Sequence, residues 1–272
     1  MATYDIRLLQ KKILEILQVV DNTCKENKLR YYLTAGTMLG AVRHKGFIPW
    51  DDDADIAMPR PDYEKLIANA KLWLPKQYEL ICAENDKNYS LPFAKIQDAN
   101  TTIIEHSHLR YLGGVYIDVF PLDGLPDGKI ARFFHVQRYK WLRKRLYFTY
   151  RDPYRHGNGP SSWIPLLHRK LYTVEGLQRR IRKLLLKYSF DDCKLVQDYD
   201  DGHKGVITKD ILGKPTPYQF ENAMLMGYEN YDAYLSQKYG SYMTPPEVEH
   251  QRQHNYYYLD LEHSYLDYSG EK

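Results

Sequence analysis

Long apolar runs are missing from this 272-residue chain, and no uninterrupted stretch could span a bilayer. The first dozen residues, M-A-T-Y-D-I-R-L-L-Q-K-K, scatter charge through their apolar positions, so they do not read as a secretory signal. Cysteine is scarce. Cys24, Cys82 and Cys193 lie far apart and form no CxxC pair, which excludes a disulfide framework and argues against a thiolate zinc site. His106, His108, His250, His254 and His263 lack metal-type spacing and read as ordinary side chains. These absences together predict a cytoplasmic protein. Phenylalanine is outnumbered by tyrosine, 8 to 26. Tyrosine offers flat apolar area with a polar tip, useful at wet surfaces and around sugars or cationic ligands.

What is present is ordinary globular composition, with 43% hydrophobic and 27% charged residues, enough for one large domain or two modest ones. The net charge of +3 hides an asymmetry. Residues 129–187 hold 16 Lys or Arg against 2 acids, so the rest of the chain is acidic. The two parts face different partners.

Apolar spacing at Ile6, Leu9, Ile13, Ile16, Leu17 and Val20 predicts a helix over 5–28. A strand is expected over 31–35, a tight turn at Gly36-Thr37, then a short helix over 38–43. Alternation in D-A-D-I-A-M predicts a strand over 53–58, stopped by Pro59 and Pro61, and a helix follows over 62–74. Further strands are expected at 78–82, 93–96, 101–104 and 115–119. Helical spacing returns over 133–150 and 166–188, and from 191 onward the chain reads as irregular and Tyr-rich. The fold class is therefore mixed α/β (α+β). Its divisions are a catalytic core over 1–128, a basic aromatic helical insert over 129–190, and a C-terminal segment over 191–272 that completes the acceptor side.

Residues 46–56 read G-F-I-P-W-D-D-D-A-D-I. Carboxylates crowded this closely repel one another and resist desolvation, so water, a basic partner or a metal must offset the cost. On a strand, side chains at i and i+2 share a face. Asp53 and Asp55 form such a pair, and Asp51 joins them if the strand starts early. Two carboxylates on one face suit a hard divalent cation, Mg²⁺ or Mn²⁺, that also binds phosphate oxygens. Asp118, alone in the β-prone run V-Y-I-D-V-F, is the candidate third ligand. A merely solvated acidic loop is the alternative; Asp118 and the Gly36-Thr37 turn argue against it. Strand, Gly, hydroxyl residue, then helix is a ready phosphate site, because backbone N–H groups point outward at a helix start. Arg43 and Lys95 are candidate phosphate or nucleotide contacts, with His44 and Lys45 less distinctive.

The stretch over 34–56, T-A-G-T-M-L-G-A-V-R-H-K-G-F-I-P-W-D-D-D-A-D-I, closely resembles the signature of the LicD family of phosphotransferases. The resemblance continues through F-A-K-I-Q-D at 93–98, Thr101-Thr102 and Y-I-D-V-F-P-L-D at 116–123, and weakly through Y-G-S-Y-M-T-P-P at 239–246. It implies a nucleotidyltransferase-like mixed sheet flanked by helices, related to fukutin-type proteins. It also implies transfer of a phospho-alcohol, phosphocholine above all, from a CDP-alcohol such as CDP-choline to a glycan hydroxyl, with release of CMP. The acceptor would be a surface glycan such as teichoic acid or lipopolysaccharide, or its lipid-linked precursor. Carried over by position, Gly36 and Thr37 match the phosphate turn, Asp53 and Asp55 the metal pair, Asp118 the third carboxylate and Asp51 a further acid. Ser241 stands where an acid is common, a departure that bears on the acceptor.

A true nucleotidyltransferase, moving NMP from an NTP and releasing pyrophosphate, is the same-fold alternative. An idle scaffold is the alternative of a different class, and the clustered acids argue against it. The basic insert suits an anionic membrane: R-Y-K-W-L-R-K-R at 138–145 and Q-R-R-I-R-K-L-L-L-K at 178–187 interleave bases with apolar residues. Peripheral contact through 129–187 with the inner face of the plasma membrane is therefore expected. A solvated basic face, or one covering the acidic half, is the alternative. No nucleic-acid motif accompanies the charge, and no nucleic-acid partner is expected.

Overall fold

A computed structural model describes residues 4–105, 112–154, 157–251, 253–254 and 256–270. His106 and His108 fall outside the described residues. The chain begins with α1 (Ile6–Glu26), capped by Asp5, whose side chain accepts from the N–H groups of Arg7 and Leu8. Leu9, Ile13, Ile16, Leu17 and Val20 form its buried stripe. Then come β1 (Tyr32–Leu33), α2 (Ala35–His44), β2 (Asp55–Pro59), α3 (Arg60–Trp73), β3 (Tyr78–Ile81), β4 (Ala94–Ile104) and β5 (Leu112–Leu125).

These strands build the core of an eight-stranded mixed sheet in the order β1-β2-β5-β4. β5 is its axis. It pairs in parallel with β2 and antiparallel with β4. The segments expected as separate strands at 93–96 and 101–104 are one strand, β4, with a register shift between Asp98 and Ile103. Thr101 repairs the ladder there: its hydroxyl donates to Asp98 O at 2.8 Å and accepts from Val115 N–H at 2.7 Å. Gly114 lies opposite, where an added Cβ would fall 1.9 Å from Asp98 O, so the close approach of the two strands requires glycine.

Three helices follow: α4 (Lys129–Tyr150), α5 (Pro160–Leu171) and α6 (Val174–Leu185). The single helix expected over 166–188 is two helices, because Thr173 caps α6 by accepting from Gly176 N–H. Leu142 and Leu146 of α4 form a second core with Leu177, Ile181, Leu184 and Leu185 of α6.

The stretch after 191 is more ordered than the sequence suggested. It forms β6 (Leu195–Gln197), β7 (Val206–Thr208), α7 (Lys209–Leu212), the hairpin β8 (Thr216–Phe220) and β9 (Ala223–Gly227), α8 (Tyr231–Tyr239) and β10 (Tyr258–Asp260). β6 pairs with the far end of β5, and β10 with β4. The pairings are remote in sequence and the strands short, so no local alternation marked them.

Candidate active site

The parallel register places Asp55, the first residue of β2, opposite Asp118 of β5. The antiparallel register places Lys95 of β4 opposite the same Asp118. Asp55, Asp118 and Lys95 therefore lie side by side across three strands, on one face. Lys95 Nζ sits 3.1 Å from Asp118 Oδ1, 2.9 Å from Glu105 Oε1 and 3.2 Å from the centre of the Tyr116 ring.

β2 begins only at Asp55, so Asp51, Asp52 and Asp53 belong to the irregular segment before it, and the expectation of a strand face shared by Asp51, Asp53 and Asp55 does not hold. The loop is instead fixed from outside. Gln10 of α1 is buried and donates to Ile48 O at 3.2 Å and Asp51 O at 2.8 Å. The four carboxylates Asp51, Asp53, Asp55 and Asp118 still share one field. Burial, with Asp53 and Asp52 adding to it, pushes Asp51 up to about 8. Burial raises Asp53, opposed by His254. Asp55 is driven well upward by burial and then by Asp53, Asp118 and Asp51. Burial lifts Asp118 to about 6 although Lys95 pulls the other way. Burial and mutual repulsion thus raise all four carboxyls.

Gly36 and Thr37 are not a tight turn but the first turn of α2. Ala35, at the helix start, adopts φ +47, a left-handed conformation costly for a residue with a Cβ. Two tyrosines from the C-terminal segment hold it. Tyr234 Oη accepts from Ala35 N–H at 3.0 Å and lies 2.7 Å from Thr34 Oγ1, and Tyr228 Oη lies 3.0 Å from the same oxygen. Gly36 faces the acids, since an added Cβ would fall 2.9 Å from Asp51 Oδ2. Thr37 Oγ1 accepts from Asp55 N–H at 2.8 Å, tying the helix start to β2.

Arg43 lies at the other end of α2, donating to Tyr242 O at 2.7 Å, where it anchors the C-terminal segment. His44 meets Trp50 edge-on, and Trp50 packs against the core. Lys45 is the helix C-cap at φ +60. Tyr239 and Lys238 of α8 belong to the same field: Asp55 and Asp51 help raise Tyr239, and Lys238, paired with Asp201, draws on Asp55.

The residue that sequence reasoning missed is His254. Asp52, fully buried, receives three hydrogen bonds: from Tyr4 Oη at 2.7 Å, from His254 N–H at 2.9 Å, and from the His254 ring, whose Nδ1 lies 2.9 Å from Oδ1. Nε2 of the same ring lies 3.6 Å from Asp53 Oδ2. Tyr256 Oη donates to Asp52 O, and its ring stacks on His254. Among the described residues, Asp52, Asp53 and His254 bring ligand atoms within 4.8 Å of one another, as do the exposed Glu247, Glu249 and His250. Asp53, Asp55 and Asp118 do not form such a group: Asp53 turns toward His254 and Asp118 toward Lys95.

The Asp52 hydrogen bond, opposed by burial, lifts His254 to about 9 from 6.5, and Asp53 adds to the rise. Burial works against the charge of Asp52, but bonds from His254 and Tyr4 hold its carboxyl below 3.8. A raised histidine stabilises fully below its unfolded value and loses that contribution as pH climbs through the folded one. A lowered carboxyl stabilises above its unfolded value and fails as pH falls below it. In chelator-treated protein the strap of residues around His254 should therefore loosen between pH 6.5 and about 9. Thermal unfolding across that window checks this: the decline should flatten in His254→Gln, and equal declines would refute it.

The geometry is a carboxylate cluster at the start of one strand, beside a helix N-terminus, on a mixed sheet. Residues 28–172, more than half of the chain, match the family described as LicD/FKTN/FKRP, nucleotidyltransferase domain, and the chain belongs to it. It is 26% identical over 263 residues to the lipopolysaccharide cholinephosphotransferase LicD of Haemophilus influenzae, covering 94% of this chain and 97% of that one. A 79-residue stretch is 30% identical to the mouse ribitol-5-phosphate transferase FKTN, covering 28% of this chain and 17% of that one. An uncharacterized protein of Rickettsia typhi is 42% identical over 59 residues, 21% of this chain and 19% of its own. The chain is a transferase of this family.

Proposed function

We propose that the protein moves a phospho-alcohol, most directly phosphocholine, from a CDP-alcohol to a hydroxyl of a cell-surface glycan or its lipid-linked precursor, releasing CMP. The observation that carries this is the near full-length similarity to a cholinephosphotransferase. The acid cluster supports it, with Asp55 and Asp118 half-buried and open to a ligand from solvent.

Asp53, Asp55 and Asp118 are the residues that would hold Mg²⁺ or Mn²⁺: their carboxylates are the hard oxygen donors such an ion takes, and Asp53 would turn from His254 to join the other two. When bound, the ion supplies positive charge to the donor diphosphate. The chain's own residues do the rest. The N–H groups around Gly36 and Thr37 at the start of α2 bind phosphate oxygens. Lys95 fixes Asp118 in place through their ion pair. Arg43 acts on the site indirectly, by holding the segment around Tyr242. Asp51, against Gly36 and outside the strand, or Asp118, beside Lys95, orients or deprotonates the acceptor hydroxyl. The acceptor oxygen forms its bond to the phosphorus that carries the alcohol, the bond from that phosphorus to the CMP oxygen breaks, and CMP leaves with the electron pair.

The test is a donor panel. Purified protein with Mg²⁺ and a glycan extract is offered CDP-choline, CDP-ribitol, CDP-glycerol and CTP in separate reactions. CMP from one CDP-alcohol, with its phospho-alcohol recovered on glycan, is the expected result. Pyrophosphate from CTP, with no CMP from any CDP-alcohol, would replace this reading with nucleotidyl transfer.

A further inference from the structure

The basic insert treats its helices in opposite ways. α4 and α6 turn leucines and isoleucine inward. Arg143 pairs with Asp200 and Arg182 with Glu64 and Glu84, so part of the basic charge covers acids of the rest of the chain, while Arg138, Lys140, Lys144, Arg179, Arg180, Lys183 and Lys187 are exposed. These stretches are amphipathic helices whose remaining bases face solvent. α5 is inverted. It seats Ser162 and Pro165 in the buried layer and exposes Trp163, Ile164, Leu166, Leu167 and Leu171, with Trp163 67% and Leu171 62% accessible. Residues 163, 167 and 171 recur at a spacing of four, so they form one outward stripe.

This face is rigidly presented. Arg169 of α5 donates to the carbonyls of Thr149 at 3.1 Å, Tyr150 at 3.3 Å and Arg151 at 2.9 Å, groups that the last turn of α4 leaves without helical partners. Around it the surface is basic and aromatic. Arg145 lies 3.6 Å over the half-exposed Trp141 and 5.5 Å from the Tyr172 ring, which joins α4 to the C-terminal end of α5. Lys140, Lys144 and Lys170 are exposed.

We infer that the outward face of α5 docks on an anionic lipid surface. Charge complementarity selects this occupant. An insert with 16 bases and 2 acids repels a second copy of itself, whereas an anionic bilayer offers negative headgroups for the lysines and an apolar layer for Trp163, Ile164, Leu167 and Leu171. Among the described residues no helix is long and apolar enough to cross a membrane, so the contact is peripheral. The inference stands apart from the donor assignment, since it uses no residue of the acid cluster.

Vesicle flotation tests it with the full chain. Vesicles of phosphatidylcholine with 30% phosphatidylglycerol should carry the protein up at low salt, pure phosphatidylcholine vesicles should not, and 0.5 M NaCl should release it. Trp163→Ser/Leu167→Ser should weaken partitioning by about tenfold. Because both side chains are exposed, circular dichroism and thermal unfolding of this variant should match the wild type. Lys140→Glu/Lys144→Glu is the second variant and should also lose binding. Equal partitioning of wild type and both variants, or no partitioning on anionic vesicles, would overturn the inference. So would concentration-dependent dimerisation abolished by the Trp163/Leu167 variant, which would make the face a self-interface.

Discussion

Replacing Asp55 by Asn should lower kcat/KM for phospho-alcohol transfer by about 10³-fold or more, roughly 4 kcal/mol of transition-state stabilisation. The change is nearly isosteric, and it relieves a carboxyl that burial, Asp53, Asp118 and Asp51 all push upward. Thermal stability without metal should therefore hold or rise while activity collapses. That opposite movement separates a functional acid from a structural one. Steady-state kinetics with a saturating CDP-alcohol, set beside thermal unfolding in a chelator, measures both. An Asp55→Asn protein that keeps more than a tenth of its activity would remove Asp55 from the chemistry.

The second large effect concerns folding. Arg60, at the junction of β2 and α3, meets Asp123 of β5 with Nε to Oδ1 and Nη2 to Oδ2, both at 2.7 Å. Both residues are buried, and the pair clamps together the two strands that carry Asp55 and Asp118. Removing Asp123 leaves the buried guanidinium with only the more exposed Glu64, 3.2 Å from Nη1, and takes away its two buried hydrogen bonds. Asp123→Ala should cost about 3–5 kcal/mol of stability, whereas Arg60→Met/Asp123→Leu should recover much of that loss. Urea unfolding of the single and double variants gives the comparison. A loss below about 1 kcal/mol for Asp123→Ala would show that the clamp does not hold the sheet.

The parts of this site legible in the sequence are those set by local pattern. β2 and β5 could be read from alternation and β-propensity, Asp55 as one of a pair with Asp53 and Asp118 as a lone acid, although β2 starts at Asp55 and leaves Asp53 outside it. Lys95 was marked as a functional base, but its pairing with Asp118 follows from strand register, which no local pattern contains. The Gly36-Thr37 start of α2 was visible as a break, yet Ala35 at positive φ was not, because Tyr228 and Tyr234 enforce it from about two hundred residues away. His254 was dismissed for the same reason: its partner Asp52 is 202 residues distant. Two signals were present and unused. The T-V-E-G start of α6 carried a capping residue at Thr173, and the apolar half of α5 ran directly into bases. The excess of tyrosine also has a partial explanation. Tyr4, Tyr228, Tyr234 and Tyr256 place hydroxyls on the two loops that frame the acids, work that phenylalanine cannot do.

Asp53, Asp55 and Asp118 are proposed together to hold the divalent ion of the reaction. Mn²⁺ binding followed by electron paramagnetic resonance, with and without CDP-choline, tests this most directly. The expected result is a Mn²⁺ site that Mg²⁺ displaces, that tightens with CDP-choline, that is lost in Asp55→Asn and in Asp118→Asn, and that survives in His254→Gln. Binding unchanged by both aspartate substitutions, and abolished by His254→Gln, would contradict it and move the ion to Asp52, Asp53 and His254.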